Sequence, residues 1–256
     1  SAGIKWVSGF PENQERGLPY ITGLLILNDP ETGLPLSVMD CVWITAMRTG
    51  AATAVAAKYL ARPDSSVVGV LGCGVQGRSN LEALNVLFPL ERVMAYDVSV
   101  DAARRYAQDV SARLGLEVEV VDTPRQAVTG CNLVVTAGPI LKKPHRTVKA
   151  GWLDEGAFAS LVDFDSYWHP DAMKECKFCT DDTPQLRHYQ QVGYFQEIPP
   201  VHADLGELVT GRVPGRETPG ERTMTANLGL AMDDMAVAPL LYRRAVEKGI
   251  GTWLPL

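Results

Sequence analysis

Residues 67–77 read VVGVLGCGVQG, and this stretch limits the possible folds more than any other in the chain. An apolar run leads directly into Gly72-x-Gly74-x-x-Gly77, which is followed by helix-forming sequence. In that setting the first glycine permits a tight turn after a strand. The second lets backbone approach a pyrophosphate, and the third lets helix and strand pack closely. A regular alternation continues from there. Strands are predicted at 67–71, 92–97, 117–122, 132–137 and 157–163, with helical segments at 75–88, 99–115 and 124–129. A β-α-β rhythm at this spacing implies α/β architecture, a doubly wound parallel sheet of Rossmann type with helices on both faces.

The flanks differ. The first 40 residues are rich in Gly and Pro, and their short apolar runs around PETG suit antiparallel strands joined by hairpins. WITAMRTGAATAVAAKYLA follows, an Ala-rich helix expected to open near Thr45 as N-cap, with small residues suited to close packing. After Asp182 the text turns irregular, and a final helix is predicted from about Ala226 to Lys248. The strand-rich opening and the last helix bracket the alternating part. Two domains are therefore expected: a discontinuous α+β domain from residues 1–62 and 226–256, and a nucleotide-binding domain over 63–225. The opening SAGIKWVSGF begins with neither Met nor a helix, and a preceding segment of the native protein is expected.

Composition narrows the partners. A net charge of −6 and the lack of a long basic run argue against nucleic acid, which demands concentrated positive charge. No apolar stretch approaches a membrane span of about 20 residues. Five scattered cysteines do not form a secreted disulfide framework, so a reducing cytoplasm is expected. Cys176-x-x-Cys179 lacks the two further ligands that zinc needs, and the four histidines are dispersed, so no metal is expected.

Asp97 closes the strand after the glycine loop, where a carboxylate accepts from ribose hydroxyls and repels a 2′-phosphate. NAD is therefore expected rather than NADP. Thr136 and Ala137, at another strand end, should pass near the ribose or nicotinamide. Asp163 and Asp165 end a buried strand in SLVDFDSYW and are candidates for proton transfer. Lys5 sits between Ile4 and Trp6 in a predicted strand, and Arg48 near the start of the Ala-rich helix. Charges in such apolar settings need a partner. A substrate carboxylate would suit, since Arg offers it a two-pronged fork; an ordinary salt bridge or a solvated side chain is the competing explanation.

GIKWVSGFPEN, GLLILNDPETGLPLSVMD, ITAMRTGAATAVAAKYLA, VGVLGCGVQGR and ANLGLAMDDMAVA occur in the order and spacing of the ornithine cyclodeaminase/μ-crystallin family. The chain resembles that family over nearly its whole length. The resemblance implies a substrate and dimerisation domain made from both chain ends, a Rossmann domain between them, and a homodimer. It implies that Lys5 and Arg48 contact the substrate, with Lys5 counted also among the catalytic residues, and that Thr49 lies near the cofactor phosphates. Gly72, Gly74, Val75, Gln76 and Gly77 match the pyrophosphate loop and Asp97 the ribose acid, and Asn227 is counted with the cofactor residues. The family's catalytic aspartate stands in a Gly-x-Asp-Cys-Pro-Gly-Lys-like stretch. VDFDSYWHPDAM lacks Pro-Gly-Lys, so both Asp163 and Asp165 stay candidates, with Asp165 preferred. The implied activity is NAD-dependent hydride transfer at the α-amine of a small L-amino acid, ornithine cyclodeamination first. Alternatives are an alanine-dehydrogenase-like or cyclic ketimine reductase activity, or dinucleotide binding with little turnover.

Overall fold

The computed structural model describes residues 1–255, and the side chains of all of these except Pro11 and Gln14. The chain divides into two compact units, Ser1–Arg48 with Leu230–Leu256, and Thr49–Gly229.

In the first unit, β1 (Ala2–Gly9), β2 (Ile21–Asn28) and β3 (Pro35–Asp40) form an antiparallel sheet in the order β1-β2-β3. Lys5 pairs with Leu25 and Leu25 with Met39, whereas Ile4 pairs with Ile26, and Ile26 with Val38. Side chains alternate faces along a strand. Lys5 therefore shares a face with the buried Leu25, while Ile4 and Trp6 share the other with Leu24 and Val38. That second face is apolar yet open: Ile4 is 61%, Trp6 75%, Leu24 50% and Val38 61% exposed. The unit's core comprises Leu25, Leu27, Cys41, Ile44 and Ala238, with Met39, Met235 and Leu241 packed around it.

Helix α1 (Val42–Leu60) begins one turn before the expected Thr45 cap. The Asp40 carboxylate accepts from the N–H groups of Val42 and Trp43, at 2.9 and 3.4 Å, and so starts the helix at the end of β3.

The second unit alternates as predicted through β4 (Val67–Leu71), α2 (Val75–Leu87), β5 (Arg92–Tyr96), α3 (Val100–Leu114) and β6 (Glu117–Val120), after which β7 (Leu133–Thr136) and β8 (Phe158–Leu161) follow without an intervening helix. It continues through α4 (Pro170–Lys174), β9 (Lys177–Thr180), α5 (Thr183–Gln191), β10 (Ala203–Asp204), α6 (Leu205–Val209) and β11 (Thr223–Ala226). α7 (Ala231–Glu247) then returns to the first unit. All pairings in the large sheet are parallel, in the order β10-β9-β11-β8-β7-β4-β5-β6. Alternate residues of β4 feed the two faces: Val68 and Val70 pack with α1, α2 and α3 residues, Leu71 with Trp168 and Phe178. The small residues of α1 do allow close packing. A Cβ on Gly50 would overlap the backbone oxygen of Ser79 in α2, and Thr53 Oγ1 lies 2.8 Å from Ser160 Oγ in β8.

Three expectations are corrected. Residues 124–129 form turns rather than a helix, because Gln126 Oε1 takes both the N–H and the hydroxyl of Thr123. Residues 182–225 contain α5, β10, α6 and β11 rather than irregular chain. The last helix starts at Ala231, since Thr223–Ala226 fills the slot between β8 and β9 with four buried residues.

Candidate functional site

Every strand of the large sheet runs the same way, so the carboxyl ends of β11, β8, β7, β4 and β5 form one rim. The chain leaves β4 toward β5 and β6 and later crosses back to β7 on its other side. β4 and β7 thus flank the switch point where open α/β sheets bind ligands. The glycine loop lies there. Gly72 has φ +104°, and a Cβ on it would sit 2.6 Å from Ala137 O, so the turn after β4 rests directly on the end of β7. Gly77 is buried against Gly72 O. Gly74, by contrast, is exposed, and an added Cβ would meet nothing within 4 Å.

Gly74 is also the N-cap of α2 and, having no side chain, puts no capping group on the first N–H groups of the helix. Val75 is exposed and Gln76 half-buried behind it. An open backbone approach beside uncapped N–H groups at the positive end of a helix suits an anionic pyrophosphate. Asp97 is fastened to this loop: Oδ2 accepts from Cys73 N–H at 2.8 Å and Oδ1 from Ser99 N–H at 2.9 Å. Arg78, which sequence reasoning passed over, braces it from below. Its Nη1 donates to Cys73 O at 2.6 Å while Nε reaches Asp109 in α3 at 3.1 Å.

Further along the rim, Thr136 is buried and donates its hydroxyl to Asp163 Oδ1 at 2.8 Å. Asp163 Oδ2 accepts from Gly138 N–H at 3.0 Å. Among the described residues this carboxyl has no ion pair, and its complete burial pushes it up to about 7, against the downward pull of these two hydrogen bonds. Asp165 is also buried but paired. Oδ2 lies 3.5 Å from Arg146 Nη1, and Oδ1 accepts from Phe195 N–H at 3.4 Å. Phe164 between them has φ +62° and packs its ring against Phe195, itself at φ +52°. Such backbone angles are costly outside glycine, and here they turn successive carboxylates to different partners. Ala137 is half-buried beside Gly138, and Thr49 is buried within α1. Asn227 is buried just beyond β11. Its Oδ1 accepts from Thr225, and its Nδ2 has no hydrogen-bond partner among the described residues. An orphaned buried donor, an open glycine and an uncapped helix end on one rim together fit a dinucleotide.

In the other unit, Lys5 and Arg48 share one carboxylate, Asp234. Lys5 Nζ lies 2.6 Å from Asp234 Oδ2, and Arg48 Nε lies 3.6 Å from Asp234 Oδ1. The three side chains are 13%, 13% and 3% exposed for Lys5, Arg48 and Asp234. At 3.6 Å the Arg48 contact is an ion pair without a hydrogen bond, and both of its atoms lack hydrogen-bond partners among the described residues. Structural arginines of this protein look different. Arg216 donates to Leu60 O, Glu221 O and Thr223 Oγ1, and Arg146 to Asp165 O, Trp168 O and Glu197. Asp234 was legible in principle: it stands four residues before the buried Ala238, on the inward stripe of α7.

The cysteines are free and buried, with Cys176 and Cys179 pushed up to about 12 by desolvation. Among the described residues no cluster of His, Cys, Asp and Glu could hold a metal, and no helix is long and apolar enough to cross a membrane.

Comparison with known proteins agrees with this layout. Residues 1–249 match the model of the ornithine cyclodeaminase/mu-crystallin family. The chain is 39% identical to the alanine dehydrogenase of Archaeoglobus fulgidus over 98% of its own length and 79% of that protein. Its fold is similar to Thermococcus litoralis Delta(1)-pyrroline-2-carboxylate reductase in complex with NADH and L-proline, at a TM-score of 0.88 and 35% identity. That match covers 98% of this chain and 80% of the other. An archaeal alanine dehydrogenase dimer with bound NAD is similar at a TM-score of 0.87 and 37% identity, covering 100% of this chain and 81% of the other.

Proposed function

This chain belongs to the ornithine cyclodeaminase/mu-crystallin family, and we propose that it is an NAD-dependent dehydrogenase or imine reductase acting at the α-carbon of a small L-amino acid. The observation that carries this reading is the charge balance at Lys5, Arg48 and Asp234. Two cations share one carboxylate, so the cluster retains one positive charge in a nearly buried setting, which calls for one further anion. A substrate carboxylate supplies it, and the planar guanidinium of Arg48 can grip both oxygens.

Bound here, NAD would supply a hydride acceptor for oxidation at the α-carbon and, reduced, a hydride donor for the reverse reaction. The residues proposed to hold it are the N–H groups at Val75 and Gln76, the open backbone at Gly74, Asp97 at the ribose, and Thr49, Thr136, Ala137 and Asn227. Lys5 and Arg48 restrain the substrate carboxylate, which limits how its α-carbon and amine can turn; such restraint is a large part of catalysis. Loss of the α-hydride and an amine proton leaves an α-imino acid. Water hydrolyses it to a 2-oxo acid and ammonia in a dehydrogenase, whereas a cyclic imine is reduced intact in the opposite direction. Asp163 and Asp165 are the proposed proton carriers. Asp163 has its carboxyl near 7, where a carrier works best at neutral pH.

Ornithine cyclodeamination, in which the side-chain amine attacks the imine carbon, ammonia leaves and the hydride returns to the cyclic imine, is the second reading, favoured by the family to which the chain belongs. The dehydrogenase reading stands ahead of it because VDFDSYWHPDAM lacks the Pro-Gly-Lys run and the alanine dehydrogenase relative is 39% identical. The unit made from both chain ends is the proposed substrate and dimerisation domain. A second copy is proposed to cover the open face of Ile4, Trp6, Leu24 and Val38, since apolar faces of this kind mark interfaces.

The test follows NADH and ammonia together while purified protein is given NAD⁺ with L-alanine, L-proline or L-ornithine. Equal amounts of both products identify an amino-acid dehydrogenase, and NADH without ammonia from proline identifies an imine reductase. Ammonia far in excess of NADH from ornithine would establish cyclodeamination. Silence with all three, alongside intact NADH binding, would refute the enzymatic reading for these substrates and favour a binding role.

A further inference from the structure

We propose that Asp234 is the positioning residue of the substrate clamp and acts through Lys5, an inference that rests on Lys5 and Arg48 being that clamp. Three observations support it. The register of β1 turns Lys5 inward beside the fully buried Leu25, where a lone ammonium would be unstable, and Asp234 Oδ2 is its hydrogen-bonding carboxylate at 2.6 Å. Asp234 is the fourth residue of α7, in the first turn of a 17-residue helix whose positive end favours a carboxylate. Its other oxygen lies 3.6 Å from Arg48 Nε, beyond a hydrogen bond, and neither atom has a hydrogen-bond partner among the described residues.

The carboxylate therefore treats its two cations unequally. It anchors Lys5 by a short charge-assisted bond, and it attracts Arg48 without consuming the Nε–H donor. A carboxylate serving only to hold the fold would be expected to use both oxygens fully, as the buried Asp181 does, with Oδ1 accepting from Asp182 N–H at 3.0 Å and Oδ2 from Gly229 N–H at 2.6 Å. The arrangement leaves the clamp net positive, with Lys5 fixed in place and Arg48 available to turn onto an incoming carboxylate. A second consequence concerns binding. Neutralising Asp234 frees Lys5 to wander but makes the clamp more positive, so orientation suffers more than capture of an anion.

The experiment compares Asp234→Asn, Asp234→Glu, Lys5→Met and the double variant Lys5→Met/Asp234→Asn. Steady-state kinetics use the amino acid that the unmodified enzyme turns over fastest, and NADH affinity is read by fluorescence. Asp234→Asn should lower kcat by about tenfold or more while KM moves less than about threefold, the pattern of lost orientation rather than lost binding. NADH affinity should stay within about twofold, which separates the effect from unfolding. Asp234→Glu, which keeps the charge, should recover part of kcat. In the Lys5→Met background Asp234→Asn should cost less than about a further twofold, because its target is already gone. Losses that multiply, or a raised KM with unchanged kcat, would overturn the positioning role. A Lys5→Met enzyme with normal kcat and KM would instead bring down the clamp reading itself, and this inference with it.

Discussion

Replacing Gly74 and Gly77 by alanine, one at a time, separates the two tasks of the glycine loop. At Gly74 a Cβ meets nothing within 4 Å, and φ is −83°, a value open to any L-residue. The folded protein has no reason to resist Gly74→Ala. By restricting the unfolded chain the change should stabilise by about 0.4–1 kcal/mol. Yet the methyl group would stand in the open approach to the first N–H groups of α2. NADH binding should weaken by about tenfold or more, about 1.4 kcal/mol.

Gly77→Ala should behave in the opposite way. Its Cβ would overlap Gly72 O, with Val70 Cγ1 at 3.1 Å, and both neighbours belong to the strand and turn it packs on. Neither can step aside without moving the loop, so a loss of about 1–3 kcal/mol is expected. For a protein of this size that lowers Tm by about 2–4 °C per kcal/mol. Differential scanning fluorimetry of the ligand-free variants, together with NADH fluorescence titrations, reads both quantities. Wild-type NADH affinity in Gly74→Ala would refute the placement of the pyrophosphate, and an unchanged Tm in Gly77→Ala would refute the packing argument.

Asp97→Ser cannot span the N–H groups of Cys73 and Ser99, and it removes the charge that repels a 2′-phosphate. The ratio of NADP to NAD affinity should rise by about tenfold, and an unmodified protein that already prefers NADP would sink the assignment. Asp163 makes stability depend on pH. Its carboxyl is raised from 3.8 to about 7 by burial, so the folded state binds the proton more tightly than the unfolded state. The stability this group contributes is present below about pH 4 and lost as pH rises through about 7, by about 4 kcal/mol at most. Urea melts at pH 5 and pH 8 should differ, and Asp163→Asn should narrow the gap; an equal gap in both proteins rejects the linkage. Trp6→Glu puts a charge on the open face of the small sheet and should convert a dimer to monomers in light scattering; an unmodified protein that is itself monomeric would reject this face as an interface.

Local chemistry explains what could be read without coordinates. Gly72, Gly74 and Gly77 are dictated by the turn they form, and β4 to β8 announce themselves by apolar runs at β-α-β spacing, both being short-range properties of the chain. Asp97 and the Lys5–Arg48 pair could be singled out for the same reason, as a strand-end acid and as charges set among apolar residues. What sequence could not supply depended on distant neighbours. Thr223–Ala226 is a strand because a slot between β8 and β9 awaits it, and its four residues carry no period strong enough to declare that. The capture of Asp165 by Arg146, nineteen positions earlier, and the solitary burial of Asp163 are decided by how the loops fold over the rim. Asp234 stands 229 positions from Lys5, and only the packing of α7 on β1 makes the two charges one group. The chain alone thus determined the strands β4 to β8 and the glycine loop, whose causes lie within a few residues. Tertiary structure decided which carboxylates are paired, which stand without an ion pair and which one joins Lys5 to Arg48, because charge pairing and desolvation depend on what lies nearby in space.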